Sequence, residues 1–504
     1  MSDPRRWLLP GALVALLAAC QPAAQAPADT AGRTYGSLKF SPCTLTSAQA
    51  SSNVEAQCST LEVAENPADP KGRRISLNIA WIEQAQTGSQ QSDPVFFIAG
   101  GPGQAATEVA SVVSASLRDV SKQRDLFFID QRGTGKSNAL TCLDAQGKPM
   151  ALDVSAEPTA QAVANYAATC AQSLQSRADT RFYTTTQAIA DLDAVRAALG
   201  ADKINLIGGS YGTRVAQQYA AAYPQHTRSV VIDGVAPNEL VVGGEFANTF
   251  EKAIALQSAQ CRKNADCAKR FAVDTREQLR ALMARLRQAP VQVEFRDPGT
   301  GKLETAQLTA DTVSGLAFSF SYVPQLSSLL PLVLDEAAQG RYESLMSLAS
   351  LSGRQMGDQI NRGMQWSVLC AEDADRYVAP ADAGEYLLGP EVAQMFFAAC
   401  KSWNVGTRPA GFNAPFASQL PVLLLSGEAD PVTPPVYAEQ VLKTLPNGRH
   451  LVAKGQGHGT LGVGCMPKLL GQFLETADAK SLDATCLDKL IDVPAFTSFN
   501  GWEP

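Results

Sequence analysis

The chain has 504 residues, 45% of them hydrophobic and 18% charged, with a formal net charge of -7. That length can bury a sizeable core and carry more than one structural unit. The acidic balance offers no basic surface and excludes nucleic acid as a partner.

Arg5 and Arg6 precede the apolar run Trp7 to Ala19, which is too short for a comfortable membrane span and reads as an export signal over residues 1–19. It ends Leu17-Ala18-Ala19-Cys20, which resembles a bacterial lipobox and implies acylation of Cys20. The expected product is tied by lipid to a bacterial membrane, on the periplasmic side or at the cell surface. Residues 20–33, rich in Ala and Pro, read as a flexible tether. Without Cys20 ten cysteines remain, an even number suited to disulfides in an oxidising space. Their order favours local pairs: Cys43 with Cys58, Cys142 with Cys170, Cys261 with Cys267, Cys370 with Cys400, and Cys465 with Cys486. Connectivity does not follow from order alone, and no C-x-x-C or neighbouring histidine supports a metal site at Cys261 and Cys267.

Arg74 to Ile82 alternates Ile75, Leu77, Ile79 and Trp81 with other residues, as a strand with one buried face does. Val95–Ile98, Leu126–Ile129, Ile204–Ile207, Val230–Ile232 and Val422–Leu425 are instead short continuous apolar runs. Strands covered on both faces have this pattern, so a mostly parallel sheet between helices is predicted. A helix is expected over Thr186 to Leu199, with Thr186 as N-cap and Gly200 ending it. From about Pro237 to Phe416 the strand–helix rhythm stops; amphipathic stretches such as Phe246 to Gln257 and Thr275 to Arg287 appear, with a hairpin around Asp297 to Gly301. The predicted organisation is an α/β core over 34–236 and 417–504, split by a mainly helical cap over 237–416. No internal repeat recurs at a fixed period.

Gly208-Gly209-Ser210-Tyr211-Gly212 follows the run Ile204 to Ile207 and precedes a helical segment. Strand, sharp turn and helix with a serine at the tip is the setting of a nucleophile elbow. A serine hydroxyl needs a base, and the base needs an orienting acid. Of three histidines, His226 lies near a helix end and His450 opens an apolar run, whereas His458 sits in the glycine-rich loop Gly455 to Gly459 and is the expected base. Asp430, beyond the run Val422 to Leu425, is the expected acid, with Glu428 as its rival. The loop Ala99 to Gly103 supplies oxyanion donors, and the backbone N–H groups of Gly101 and Tyr211 are the expected pair. No metal or cofactor is required.

Gly101-x-Gly103-x-x-Ala106 with Asp130 also fits a dinucleotide-binding fingerprint. That reading leaves the serine, aspartate and histidine loops unexplained, and Pro102 beside the first glycine is awkward for it. The string Gly133 to Ser137 departs from a phosphate loop because the first required glycine falls on Asp130.

Together the strings GGSYGTR, AGGPG, DQRGTGKS, GEADPVTP and GQGHG resemble the proline iminopeptidase and tripeptidyl aminopeptidase group of α/β-hydrolases, from about Tyr35 to the C-terminus. Ala99 departs from the histidine that many relatives carry there. The resemblance implies a serine exopeptidase that releases one to three residues from peptide N-termini, under a cap that selects a free amino end. A buried ammonium needs carboxylate partners; Glu372 and Asp373, beside Cys370, are the candidates. An esterase or amidase on the same fold, and a lipid-anchored binding protein with an inactive site, are the alternatives.

Overall fold

The computed structural model describes residues 32–47, 53–86, 93–150, 159–357 and 359–501, without the side chains of 353–357. Cys20 and the export signal lie outside the described residues. The strands are β1 (Arg33–Tyr35), β2 (Leu38–Leu45), β3 (Val54–Ala64), β4 (Arg74–Ile82), β5 (Val95–Ile98), β6 (Leu126–Ile129), β7 (Ile204–Gly209), β8 (Thr227–Asp233), β9 (Val291–Arg296), β10 (Leu303–Leu308), β11 (Val422–Gly427) and β12 (Gly448–Ala453). Ten of them form one sheet in the order β1-β2-β3-β4-β6-β5-β7-β8-β11-β12. From β6 to β12 every neighbouring pair is parallel. From β1 to β4, and where β4 meets β6, the pairs are antiparallel.

The continuous apolar runs are explained by this placement. Successive side chains on a strand point to opposite faces, so Phe96, Ile98, Phe127, Leu206, Val230, Ile232 and Leu424 enter one core. Val95, Phe97, Phe128, Ile207, Val231, Leu423 and Leu425 enter the other. Helices close both faces. Ala160–Leu174, Thr185–Ala198 and Tyr211–Ala222 bury Val163, Ala167, Ile189, Leu192, Val195, Val215 and Tyr219 in the first core. Met466–Thr476 buries Met466, Leu469, Leu470 and Phe473 in the second. The helix expected from Thr186 begins at Thr185 with Thr184 as its N-cap residue. The N–H and hydroxyl of Thr185 are taken by Glu372, a partner 187 residues away that local sequence does not reveal.

Between β8 and β11 lie helices and the β9–β10 hairpin. Phe250, Leu279, Leu286, Phe295, Val313, Phe320 and Leu334 gather into a separate core there. Part of this insertion packs directly on the sheet. The helix Arg362–Glu372 places Met364, Trp366 and Val368 in the first core of the sheet, together with Trp403 and Phe416. Gly363 makes that approach possible, since a Cβ there would lie 2.4 Å from the Leu140 carbonyl oxygen.

The ten remaining cysteines form the five local pairs expected from their order. Five disulfides fit an exported protein. Among the described residues no helix is long and apolar enough to cross a membrane.

Candidate active site

β7 carries the chain to the elbow, and the helix Tyr211–Ala222 starts directly after it. Ser210 sits at the turn with φ 54° and ψ -126°, in the left-handed half of φ that a residue with a Cβ enters only under strain. The flanking glycines make the turn sterically possible. A Cβ at Gly208 would lie 2.4 Å from the Gly212 carbonyl oxygen, and one at Gly212 would lie 2.3 Å from that of Ile98. Gly209 is different, because its nearest obstacle would be 4.0 Å away.

The oxyanion loop follows β5 and lies against the nucleophile. A Cβ on Gly100 would be 2.8 Å from the Ser210 Cβ. Neither the Gly101 N–H nor the Tyr211 N–H donates a backbone hydrogen bond among the described residues. Two free donors beside a strained serine are what an oxyanion requires. Gly101 has φ 105° and joins Pro102 through a cis peptide bond. The Asn361 N–H donates to the Gly103 carbonyl at 2.9 Å, which ties the insertion to this loop.

β11 delivers the acid. Asp430 is buried, and its Oδ1 accepts the backbone N–H groups of Val432 at 2.9 Å and Thr433 at 2.8 Å. Its Oδ2 lies 2.7 Å from His458 Nδ1 and accepts the Thr433 hydroxyl at 2.9 Å. Burial opposes ionisation of Asp430, but the charge and hydrogen bond of His458 and the two amides outweigh it and hold the pKa below the ordinary value. Burial likewise opposes protonation of His458; the charge and hydrogen bond of Asp430, with the charge of Asp233, prevail and raise its pKa above 6.5. A base must be neutral to accept a proton. The acid limb of kcat/KM is therefore expected above the ordinary imidazole value, and a limb at or below 6.5 in a pH–rate profile would contradict this pairing.

The end of β8 brings nucleophile and base to one place. Ser210 N–H donates to the Asp233 carbonyl at 2.9 Å, and a Cβ on the next residue, Gly234, would lie 3.0 Å from His458 Cε1. No hydrogen bond joins Ser210 Oγ to the imidazole in this structure, a contact that in hydrolases commonly tightens with substrate. Asp233 holds the loop after the base, accepting the Thr460 N–H at 2.6 Å, the Leu461 N–H at 3.0 Å and the Thr460 hydroxyl at 2.8 Å.

The rival residues have other partners. Glu428 accepts the Gly455 N–H at 2.9 Å and so supports the base loop from its start. His226 Nδ1 meets Asp193 at 2.8 Å, and His450 Nε2 meets Ser426 at 2.9 Å. Asp130 is buried and accepts from Thr107, Asn78 and Lys136, which leaves it unavailable to a ribose.

The expectation for Glu372 and Asp373 is corrected. Both are buried and engaged inside the protein. Asp373 Oδ2 pairs with Arg214 at 2.9 Å and its Oδ1 with Arg376 at 2.6 Å. Glu372 accepts the Thr185 N–H at 2.8 Å and hydroxyl at 2.9 Å, and the same Thr185 hydroxyl lies 2.6 Å from the Tyr211 hydroxyl. Every oxygen of the pair already has a partner and neither side chain reaches solvent where a substrate ammonium could meet it; the pair instead fastens the helix Arg362–Glu372 to the elbow helix. Sequence reasoning also missed Thr433 and Asp233. Asp233 directly follows the apolar run Val230–Ile232, the kind of signal that located Asp430, and Thr433 stands three residues past Asp430 in the same loop.

Comparison with known proteins identifies the family. Residues 93–464 match the family described as the alpha/beta hydrolase fold. The serine protease Hip1 of Mycobacterium tuberculosis is 27% identical over 434 residues, covering 79% of this chain and 80% of that protein. A tripeptidyl aminopeptidase of Streptomyces lividans is 31% identical over 190 residues, 36% of this chain and 35% of its own. The crystal structure of proline iminopeptidase from Mycobacterium smegmatis aligns over 82% of this chain and 97% of its own, at 14% identity and a TM-score of 0.41. An elbow serine, an acid–histidine pair and free oxyanion amides on a split parallel sheet thus meet a family match over most of the chain: the protein belongs to the α/β-hydrolase fold family and is a serine hydrolase.

Proposed function

We propose that this chain is a serine peptidase that removes one to three residues from the N-termini of peptides through an acyl-enzyme on Ser210. Ser210 Oγ attacks the peptide carbonyl while His458 Nε2 takes its proton, and Asp430 stabilises the imidazolium that forms. The N–H groups of Gly101 and Tyr211 receive the oxyanion. The imidazolium then gives its proton to the departing amine, and a water activated by His458 hydrolyses the ester.

The observation that carries the N-terminal preference is Glu245. It is half-buried at the start of the helix Phe246–Lys263 and accepts a 3.5 Å hydrogen bond from Asn248. It is ion-paired with no cation among the described residues. Burial, then the charges of Glu245 and Asp430, raise the Tyr437 phenol above its ordinary range, so the Glu245 carboxylate and the triad acid both act on one phenol. A carboxylate held there without a cation suits a substrate ammonium. The names of the relatives, serine protease and tripeptidyl aminopeptidase, support the same reading.

Mass spectrometry of products from a small peptide set tests it. The expected result is release of one- to three-residue N-terminal pieces, with Glu245→Gln raising KM at least about tenfold for free-amine peptides and leaving N-acetylated ones unchanged. Turnover of p-nitrophenyl esters with no cleavage of any peptide would replace the peptidase reading with an esterase.

A further inference from the structure

The end of the cap helix Ala310–Ser321 reaches the catalytic base. The last carbonyls of a helix have no partner inside it and must find one elsewhere. That of Tyr322, the residue closing this helix, accepts the backbone N–H of His458 at 2.9 Å. Gly457 permits the approach, since a Cβ there would lie 2.2 Å from the Tyr322 carbonyl oxygen and 3.1 Å from that of Ser321. The contact continues into the side chains. The Tyr322 ring stands edge-on to the imidazole, with centroids 5.2 Å apart and planes at 77°. Phe318, one turn back, backs Tyr322 at 5.4 Å and 85°, and Phe250 backs Phe318 at 5.6 Å. Phe250 belongs to the core of the insertion and is fully buried.

We infer that Tyr322 is a positioning residue for the catalytic imidazole, so the insertion belongs to the catalytic machinery. The inference rests on His458 acting as the base. Asp430 and Thr433 approach only Nδ1. A ring held at one nitrogen can still swing about that bond. Tyr322 supplies the missing restraints, one on the backbone at His458 and one against the ring. The Tyr322 ring is backed through Phe318 by Phe250 of the insertion's buried core and not by a mobile surface group. Misplacing a base by about 1 Å can cost on the order of a hundredfold in rate.

Tyr322→Ala and Tyr322→Leu, with Tyr322→Phe as the conservative control, are assayed on a peptide anilide and on p-nitrophenyl acetate. The acetyl group is too small to use a distant binding surface. The expected result is a fall in kcat of about tenfold or more on both substrates for Ala and Leu, with KM within about twofold and Tyr322→Phe at the parent rate. Labelling of Ser210 by a fluorophosphonate should slow in parallel. A rise in KM confined to the anilide, with p-nitrophenyl acetate turnover unchanged, would make Tyr322 a wall of the substrate site and overturn the inference. Unfolding of the alanine variant leaves Tyr322→Leu to decide. Failure of the peptidase proposal would show separately, as acetate turnover and labelling without peptide cleavage.

Discussion

Asp430→Asn is expected to lower kcat by about 10⁴-fold while leaving the fold intact. The reason lies in the division of work between the two carboxylate oxygens. Oδ1 accepts two backbone N–H groups, from Val432 and Thr433, so the amide oxygen of asparagine must occupy that position. Its NH₂ is then forced into the place of Oδ2, 2.7 Å from His458 Nδ1. A donor there requires Nδ1 to accept. The ring proton moves to Nε2, and the imidazole can no longer take one from Ser210. Steady-state kinetics, with fluorophosphonate labelling of Ser210 as a second readout, measure the loss. A drop of less than tenfold would mean that Thr433, whose hydroxyl lies 3.1 Å from Nδ1, orients the ring without the aspartate.

The second large effect concerns the buried charges beneath the elbow. Burial, only partly offset by Arg214, holds the pKa of Glu372 at about 7 against an ordinary 4.5. Because the folded state prefers the protonated acid, this group favours folding fully below pH 4.5, and that contribution is lost as pH rises through about 7. Glu372→Gln cannot ionise, yet it can still accept the Thr185 N–H and donate to the Thr185 hydroxyl. It is expected to be more stable than the parent at pH 8, by roughly 3 kcal/mol at most, and to match it at pH 4. Arg214→Met is expected to do the opposite. It leaves Glu372 and half of Asp373 without their cation, a loss of about 3–5 kcal/mol at pH 8. Urea unfolding at the two pH values checks both. An identical Glu372→Gln offset at pH 4 and pH 8 would show that the proton is not held in the folded state.

Much of the catalytic face was legible because its signals are local. A parallel strand buried on both faces must be apolar at every position, so Val95–Ile98, Leu126–Ile129, Ile204–Ile207 and Val422–Leu425 stand out as unbroken runs. The residues just past those runs fall on one edge of the sheet, where Ser210, Asp430 and the Gly101 loop are found. The antiparallel strands β1 to β3 left a weaker trace. β3 has only Ala56 buried among its eleven residues, and a half-exposed strand tolerates polar residues on its open face.

Glu372 and Asp373 illustrate the limit. Two adjacent acids in a predicted cap look like an ammonium site, and nothing nearby in sequence reveals that Arg214 has already claimed them. Arg214 is 158 residues from Glu372 and reaches it because the helix Arg362–Glu372 packs onto the sheet. The same holds for Tyr322, 136 residues before the His458 whose N–H it accepts.

The sequence by itself determined the fold class and singled out Ser210, His458 and Asp430, through periodicity, order along the chain and a turn that only glycine permits; it favoured five local cysteine pairs, and packing joined them. The tertiary structure alone decided which charges neutralise one another and which part of the insertion meets the base. A buried charge takes whichever opposite charge packing brings within reach, and that choice is made across the fold, between residues no local pattern connects.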